Sequence, residues 1–307
     1  MSLVAGSYER FIWGYRLKSA DSLALVPLFS FPSHLSTIKT VAVYGTAAAS
    51  GGNDDTIKIY DLSSSTEIGS LHLTASVTAL SFFSPPSLSS VPRNLLAGNA
   101  DGSLSIYDAD PFVHLKTVKV HKKAVNSLSV HPSGKLALTV GHDECLAMVN
   151  LVRGRRSFFS KLGREASILQ FDESGERFFM AVEDKISVHE SEDAKLTHEL
   201  ENRKRVHCIA PAANGIVFAG GEDGSITAWD TSCGKVAFSI EEAHAARIKG
   251  IVVLHRKRDD PSSYIIASAS SDGVIRVWDG RMVKKPAAEA NTRSRLTCLA
   301  GSSTKRE

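Results

Sequence analysis

The amino-acid sequence predicts an all-β protein that folds as a seven-bladed β-propeller, closed by pairing of its N- and C-terminal strands. Two observations lead to this prediction. A hairpin-forming segment occurs six times at intervals of 40 to 49 residues, a period typical of propeller blades. Strand-like segments at the two ends of the chain then complete a seventh blade. We expect one domain over residues 1–300 and a short tail over residues 301–307.

Each copy of the segment has a turn between two short apolar strands. In SASSDGVIRVWDG, residues 268–280, Asp272 and Gly273 supply the positive backbone dihedrals of a two-residue turn, and strand-forming residues follow. The spacing is that of WD40 repeats. The segments end at Asp61, Asp108, Asn150, Glu190, Asp230 and Asp279, and an acidic turn residue stands seven positions earlier in each: Asp54, Asp101, Asp143, Glu183, Asp223 and Asp272.

Another strand pair precedes each hairpin, and its inner strand has apolar residues spaced by three and then two. The clearest examples are Ile38, Val41 and Val43; Val77, Leu80 and Phe82; Val125, Leu128 and Val130; Ile248, Ile251 and Val253. For the closing blade, we expect residues 2–17 to form a strand pair with a turn near residues 7–9. Residues 284–300 are expected to supply its outer and inner strands. Such a blade leaves no open sheet edge at either end of the chain.

Some polar residues of the repeats fit a structural role. His244, Ser268, Asp272 and Trp278 stand where WD40 blades carry a hydrogen-bond relay that satisfies a shielded carboxylate. A second set is His34, Ser50 and Asp54, with Tyr60 in place of the Trp. Elsewhere the pattern decays, because Ala219 replaces the Ser, Asn202 the His and Glu183 the Asp.

Composition limits the class of protein without naming its function. The chain has 307 residues, 43% of them hydrophobic, and a net charge of +3, which argues neither for nor against a nucleic-acid binder. Its cysteines, Cys145, Cys208, Cys233 and Cys298, lack metal-ligand spacing. We see no signal peptide and no membrane span. We therefore expect a reduced intracellular monomer with no metal, cofactor or membrane partner.

Enzyme motifs are absent or incomplete. The phrases SGKL and CGKV lack the remaining residues of a phosphate loop, and no Gly-x-Ser-x-Gly elbow occurs. The phrase HELEN, which begins at His198, has Asn202 where a zinc protease needs its second His. We expect no catalytic residues and a non-enzymatic protein.

Basic residues recur in the predicted connections between the outer strand of one blade and the inner strand of the next. We call them the basic arc: Lys122, Lys123, Lys161, Arg164, Arg203, Lys204, Arg205 and Arg247. They belong to four consecutive blades and should share one face. Any single cluster fits ordinary solvated surface, but four adjacent ones favour an acidic protein segment or rRNA phosphates as partner. Two further clusters, Arg153, Arg155 and Arg156 and then Arg256, Lys257 and Arg258, should lie on the opposite face.

Several phrases resemble one WD-repeat family over residues 3–300. They are LVAGSYERFIWGY near the start, HPSGKLALTVG over residues 131–141, NLVRGR from Asn150, SASSDGVIRVWD, and NTRSRLTCLA near the end. The phrases, in this order, resemble the PAK-interacting protein-like (Mak-type) family of 60S ribosome-assembly factors. The resemblance implies a nucleolar scaffold for large-subunit assembly and rRNA maturation, with pre-60S assembly proteins and rRNA as partners.

The resemblance leaves other functions open. Animal relatives are also described as binding and restraining p21-activated kinase, and a propeller can serve as a ubiquitin-ligase substrate receptor. The WDGR phrase at residues 278–281 has the form expected for that last role but occurs alone. Family members continue into a Lys-rich tail, whereas this sequence stops at GSSTKRE. Nucleolar retention and RNA affinity are expected to depend on such a tail.

Overall fold

The described residues of the computed structural model, 1–19, 23–85, 91–256 and 263–303, contain strands and no helix. They form seven four-stranded antiparallel sheets, which confirms the predicted seven-bladed propeller. We number the blades 1 to 7, starting with the blade that contains both chain ends. In each blade we call the strands a to d from the channel outwards.

Blades 2 to 7 follow one another along the chain, with four consecutive strands each. Blade 2 contains β4 (Ile38–Tyr44), β5 (Ala47–Gly52), β6 (Thr56–Asp61) and β7 (Thr66–His72), and blade 3 contains β8 (Val77–Phe83), β9 (Asn94–Asn99), β10 (Ser103–Ala109) and β11 (Phe112–Lys119). Blade 4 contains β12 (Val125–Val130), β13 (Leu136–Gly141), β14 (Cys145–Asn150) and β15 (Arg155–Lys161), and blade 5 contains β16 (Ile168–Phe171), β17 (Arg177–Val182), β18 (Lys185–Glu190) and β19 (Leu196–Glu201). Blade 6 contains β20 (Val206–Pro211), β21 (Ile216–Gly221), β22 (Ile226–Asp230) and β23 (Lys235–Ile240), and blade 7 contains β24 (Ile248–His255), β25 (Tyr264–Ser270), β26 (Val274–Asp279) and β27 (Ala288–Asn291).

Blade 1 closes the ring with strands from both ends of the chain. Its strands from a to d are β28 (Leu296–Ser302), β1 (Ser2–Ser7), β2 (Phe11–Ser19) and β3 (Leu23–Pro32). The closing pair is antiparallel, with Ser2 opposite Ser302 and Gly6 opposite Cys298. Strand β28 therefore extends through residue 302, past the expected domain end at residue 300.

The division of blade 1 differs from the prediction. The sequence predicts that residues 284–300 supply both its outer and inner strands, but the outer strand in that range, β27, pairs with β26 and completes blade 7. The outer strand of blade 1 is instead β3, which pairs with β2 over nine residue pairs. A long strand that follows β2 after a short connection forms a larger ladder than the four-residue β27 could.

The core consists of apolar layers between neighbouring blades rather than one central cluster. Each of the seven clusters of buried side chains is shared by two adjacent blades, and together they complete the circle. Phe218 of blade 6 and Trp278 of blade 7, for example, belong to one such layer. Each blade is thus stabilised by both of its neighbours.

The antiparallel order places the connections at two opposite faces. The d-to-a and b-to-c connections share one face, which we call the top, and the a-to-b and c-to-d connections share the bottom. The a strands surround a central channel with a volume of about 570 Å³. The part of the chain that the structure describes contains no helix long and apolar enough to cross a membrane.

Candidate functional site: the basic top face

The basic arc occupies four successive d-to-a connections on the top face. Lys161 is the last residue of β15, and the other members lie in the connections that follow β11, β15, β19 and β23. Arg247 is half-buried, and the other seven residues are exposed. The structure thus places the arc side chains on one face, available to a partner.

Relay carboxylates form hydrogen bonds to two of these four connections. The Asp143 carboxylate accepts a hydrogen bond from the backbone N–H of Lys122 at 2.9 Å. Asp272 accepts one from the N–H of Ala245 at 3.2 Å, in the connection that carries Arg247. A turn residue of one blade therefore sets the path of the connection that presents the cations.

The relay residues of blade 7 are in hydrogen-bond contact. His244 Nδ1 lies 3.3 Å from Asp272 Oδ2, and His244 Nε2 lies 2.8 Å from Ser268 Oγ. The indole N–H of Trp278 donates to the same Ser268 oxygen at 3.0 Å. Ser268 is fully buried, so these contacts satisfy polar atoms that have no access to water.

Blade 2 has a relay of the same form that ends on a phenol. His34 Nδ1 lies 3.0 Å from Asp54 Oδ1, and its Nε2 lies 2.7 Å from Ser50 Oγ. The Tyr60 hydroxyl lies 2.8 Å from Ser50 Oγ and also contacts Ser33. Burial raises the pKa of Tyr60, so the phenol stays protonated in this site.

Blade 4 contains a third relay that the sequence reasoning missed. His121 Nδ1 lies 2.8 Å from Asp143 Oδ1, and His121 Nε2 lies 2.9 Å from Thr139 Oγ1. The signal was present, because Thr139 stands four residues before Asp143, as Ser50 and Ser268 stand before their aspartates. Val149 occupies the position of Trp278, so this relay stops at the threonine.

Blade 6 retains the tryptophan and has lost the residues that would bind it. Ala219 occupies the place of the relay serine, and the indole N–H of Trp229 is buried with no hydrogen-bond partner among the described residues. Asn202 turns its amide to the carbonyl of Lys204 at 3.1 Å instead. In blade 5, Glu183 adopts a left-handed φ of 55° in the turn.

Burial and hydrogen bonding lower the pKa values of several relay groups. Burial lowers the pKa of His34, His121 and His244, although the aspartate beside each imidazole opposes the shift. Burial alone would raise the pKa of Asp54 and Asp143, but hydrogen bonds from the histidines and from the d-to-a backbone outweigh it and lower both values. The relays of blades 2 and 4 therefore consist of neutral imidazoles beside ionised carboxylates near neutral pH.

A ring of β-bulges lies where the top face meets the channel. In six blades the ladder between strands a and b skips one residue immediately after the first residue of strand a. The bulged residues are Lys39, Thr78, Asn126, His207, Lys249 and Thr297. A bulge redirects a side chain out of the regular pleat, so each of these blades offers one side chain at the channel rim.

The bulges of blades 6 and 7 bring cations together with two members of the basic arc. We call this group the channel-rim cluster: Arg205, His207, Arg247, Lys249 and Arg295. Burial and the charges of Lys249, Arg205 and Arg247 lower the pKa of His207 to about 4, with Glu222 as the opposing charge. Burial and the charges of Arg247, Arg295 and Arg205 also lower the pKa of Lys249. The rim is a region of poorly compensated positive charge.

One imidazole atom of this cluster is unsatisfied. His207 Nε2 is buried and has no hydrogen-bond partner among the described residues. Sequence reasoning missed His207, Lys249 and Arg295. The common position directly after the first apolar residue of each inner strand is the signal that identifies His207 and Lys249.

The basic arc is not uniformly positive. Arg203 Nη1 forms an ion pair with Glu241 Oε1 at 2.9 Å, between two exposed side chains. Arg164 and Arg205, from adjacent connections, line one open cavity of about 470 Å³ together with Glu165 and Glu183. The structure therefore brings these two arc residues together, beside two carboxylates.

The basic residues expected on the opposite face are partly used in packing. Arg156 donates to the carbonyl of Val120 at 2.6 Å and stacks 4.3 Å over the Phe159 ring. Arg256 pairs with Asp279 at 3.0 Å, and Lys257 and Arg258 lie outside the described residues. Arg153 lies in the c-to-d connection of blade 4, on the bottom face, and Arg155 opens β15.

Two cysteines, Cys208 and Cys298, line the channel. Burial raises the pKa of Cys208 to about 12 and that of Cys298 to about 11, so both channel-side thiols stay protonated at neutral pH. The described residues contain no group of three or more His, Cys, Asp or Glu side chains placed to hold a metal ion. What the top face offers chemically is electrostatic recognition of an anion.

Comparison with known proteins places these features in a family. The model of the WD domain, G-beta repeat, matches residues 25–61, 112–148, 194–230 and 241–279. This model describes a repeat and not a catalytic domain.

Relatives align with almost the whole chain. The p21-activated protein kinase-interacting protein 1-like protein of Danio rerio is 32% identical over 97% of this chain and 80% of its own length. The human p21-activated protein kinase-interacting protein 1 is 33% identical over 97% of this chain and 76% of its own length. Protein MAK11 of Saccharomyces cerevisiae is 25% identical over 97% of this chain and 82% of its own length. With its seven WD-type blades and these alignments over almost its whole length, the chain belongs to the PAK-interacting and Mak-type family of WD-repeat proteins.

Proposed function

We propose that this WD-repeat scaffold acts in assembly of the large (60S) ribosomal subunit and in maturation of its rRNA. The family resemblance supports this role, and the observation that carries it is the channel-rim cluster beside the basic arc. We further propose that the protein works in the nucleus and nucleolus without catalysing a reaction. Its partners would be assembly proteins of the pre-60S particle and rRNA.

The electrostatics of the top face explain how such a partner would bind. The arc supplies exposed cations that attract an anionic partner over the Debye length, about 8 Å at physiological salt. Arg247 and Lys249 of the rim cluster are half-buried, so their charges are screened less and attract an anion more strongly at close range. The lowered pKa of Lys249 also means that an incoming phosphate or carboxylate would relieve repulsion among the cations.

Charge reversal on the two faces tests the proposal. The top variant replaces Lys122, Lys123, Arg203 and Arg205 by Glu. The control replaces four exposed basic residues at the bottom, Lys135, Arg153, Arg155 and Lys235, so that both variants have the same net charge. Sedimentation of tagged protein with pre-60S particles is the measurement.

We expect the top variant to lose at least tenfold in particle association at physiological salt and the control to behave as wild type. With purified single-stranded rRNA, the salt dependence of log K should become shallower by about 0.7 for each phosphate that the variant no longer neutralises. Retention of the top variant on the particles would show that the arc is ordinary surface.

A cellular measurement tests the assembly role itself. Depletion of the protein followed by pulse-labelling of rRNA should reduce mature 25S or 28S rRNA selectively and spare the small-subunit rRNA. The top variant should fail to restore it, whereas the bottom control should succeed. Equal loss of both rRNAs would contradict a large-subunit role.

A second candidate function is binding and negative regulation of a p21-activated kinase. The names of the Danio rerio and human relatives favour the binding part of this role. So does the name of Shk1 kinase-binding protein 15 of Schizosaccharomyces pombe, which is 27% identical over 97% of this chain and 83% of its own length. Affinity purification from growing cells separates the two functions. Large-subunit precursors support the first, and a kinase without them supports the second.

A ubiquitin-ligase receptor role has less support from the site. The Arg281 guanidinium lies 3.3 Å from both carboxylate oxygens of Asp279, and Asp279 also pairs with Arg256. If the protein had this role, the affinity purification from growing cells would recover a cullin adaptor.

A further inference from the structure

The seam between blades 4 and 5 contains a cavity that the top-face function does not use. Its volume is about 730 Å³, within the usual range of ligand sites. One wall is the sheet face of blade 4, including Leu136, Met148 and Phe158. The other wall belongs to blade 5 and includes Phe171 and Phe178. We call it the blade 4–5 groove.

The groove is apolar at its base and open at its outer edge. Leu138 and Phe178 are 7% and 2% exposed at the base, whereas Phe158 on the outer strand β15 is 48% exposed. The lining is completed by residues 175–177 and 190–194, which lie in the a-to-b and c-to-d connections of blade 5 and at the strand ends beside them. The groove therefore opens toward the bottom face, away from the basic arc.

The rim of the groove is acidic. Glu176, Glu190, Glu192 and Asp193 are exposed lining residues. Arg177 is the only Lys or Arg among the described residues of the lining, and its guanidinium donates to Thr231 of blade 6 at 3.1 Å. Because the whole chain carries a net charge of +3, this negative rim is a local feature.

Polar atoms at the groove lack partners. Ser191 lines the groove, and its hydroxyl oxygen is buried with no hydrogen-bond partner among the described residues. Beside it, His189 stacks on Phe178 with ring centroids 4.8 Å apart and uses Nδ1 to donate to the carbonyl of Ala194. The other ring nitrogen of His189, Nε2, is also buried without a partner among the described residues. Unpaired buried polar atoms at a groove favour a ligand that brings hydrogen-bonding groups.

We propose that the blade 4–5 groove binds a basic peptide segment of a partner protein, with an apolar side chain inserted beside Phe158. Lysine or arginine side chains of the segment would pair with Glu190, Glu192 and Asp193, and its backbone would reach Ser191. An acidic peptide or a nucleic acid would be repelled by the rim carboxylates. The site is independent of the proposed top-face function, because it lies at the other end of the strands.

Fluorescence polarisation with two labelled nonapeptides tests the proposal. One peptide has two central phenylalanines flanked by lysines, and its twin has glutamate at every lysine position. The rim variant carries Glu190→Lys, Glu192→Lys and Asp193→Lys. Its control carries Glu199→Lys, Glu201→Lys and Glu289→Lys, three exposed carboxylates outside the groove and outside the channel-rim cluster.

We expect the basic peptide to bind wild type and the acidic twin not to bind. The rim variant should bind the basic peptide at least tenfold more weakly, while the control keeps wild-type affinity. For the apolar anchor, Phe158→Ala should weaken binding several-fold. Val236→Ala, at an equally exposed outer-strand position, should have no effect. Thermal unfolding of each variant establishes that it is folded.

Three results would overturn the proposal. They are no binding of the basic peptide to wild type, equal weakening in the rim variant and its control, and preference for the acidic twin or for RNA. A second copy of the chain is the remaining occupant. It would appear in sedimentation as a dimer that Phe158→Ala dissociates, and that outcome also contradicts a peptide site. None of these results bears on particle binding by the top face.

Discussion

At the residue scale, the fourth relay position shows how the blades tolerate change. The Trp278 indole N–H donates to the buried Ser268, and the Tyr60 hydroxyl forms a hydrogen bond with the buried Ser50. The blade 4 relay ends at Thr139, because the corresponding residue is Val149. Trp229 keeps its ring in the core but leaves its N–H unpaired among the described residues, and an unpaired buried donor costs about 1 to 3 kcal/mol. Burial of the large aromatic ring offsets that cost, so packing and polar satisfaction are separable at this position.

The shifted pKa of His207 predicts a pH dependence of stability. Above pH 6.5 the imidazole is neutral in both the folded and unfolded chain and has no effect. Between pH 6.5 and about 4, the unfolded chain takes up a proton that the folded protein excludes, so stability falls as the pH falls. Since part of the ring reaches solvent, we expect a loss of about 1 to 2 kcal/mol at pH 5 from this group.

Urea unfolding of wild type and His207→Asn at pH 8 and pH 5 measures this contribution. The difference in unfolding free energy between the two pH values should be smaller in the variant by that amount. The relay histidines titrate in both proteins, so the comparison isolates His207. Equal pH dependence of the two proteins would contradict the assigned shift.

At the element scale, the unit that repeats in sequence is not the blade. The matched segments 25–61, 112–148 and 194–230 each begin in or at an outer strand and continue through strands a to c of the next blade. Each repeat therefore spans two sheets, and the d-to-a connection inside it carries the top-face side chains. In the first two repeats, the relay aspartate at the following b-to-c turn accepts a backbone hydrogen bond from this same connection.

Gly102 lies in a b-to-c turn, where the contact between such a turn and the neighbouring d-to-a connection can be tested by mutation. It has φ of +85°, and an added Cβ would lie 2.4 Å from the carbonyl oxygens of both His121 and Lys123. Gly163 has φ of +76° and no atom within 4 Å of an added Cβ. Gly163→Ala should cost only the backbone strain, about 1 kcal/mol. Gly102→Ala should cost roughly 3 kcal/mol, because the connection that carries Lys122 and Lys123 must also move.

Denaturant unfolding of the two alanine variants gives both values. Hydrogen exchange should show faster opening of residues 120–124 in Gly102→Ala alone. Similar destabilisation of the two variants would show that the carbonyl groups around Gly102 can move away at little cost in free energy.

At the scale of the whole molecule, closure links all blades into one cooperative unit. Seven apolar layers form a complete circle, so opening one seam exposes two blades. Strand β28 is part of two seams, because Leu296 packs in the layer between blades 7 and 1 and Cys298 packs in the layer between blades 1 and 2. The last strand therefore has more influence on stability than its seven residues would indicate.

Two truncations test closure. A chain ending at residue 303 should unfold like the full protein, because it keeps all of β28. A chain ending at residue 295 should lose the cooperative transition, since β1 becomes an unpaired edge and Leu296 is gone. The milder Leu296→Ala should cost about 2 to 5 kcal/mol, as usual for a fully buried leucine. Circular dichroism with urea measures all three, and normal unfolding of the shorter chain would contradict ring closure by β28.

The sequence by itself determined the repeating unit, the number of blades and the pairing of the two chain ends. Those features depend on local chemistry: an acidic turn residue seven positions before each strand end, and relay residues at fixed short spacings. The same spacing also contained the His121 relay, which is hard to detect because its final residue is Val149 rather than an aromatic.

Only the tertiary structure decided which segment completes each sheet and which charges meet. Residues 288–291 suit either neighbouring blade as an outer strand, and the competition is settled by the longer ladder that β3 forms with β2. Arg205, Lys249 and Arg295 are far apart in the chain, and closure of the ring brings them to one rim. There, burial and the nearby positive charges lower the pKa values of His207 and Lys249. The blade 4–5 groove likewise exists only between two finished sheets. Pair interactions of this kind depend on distance in space, and a repeat pattern contains no measure of that distance.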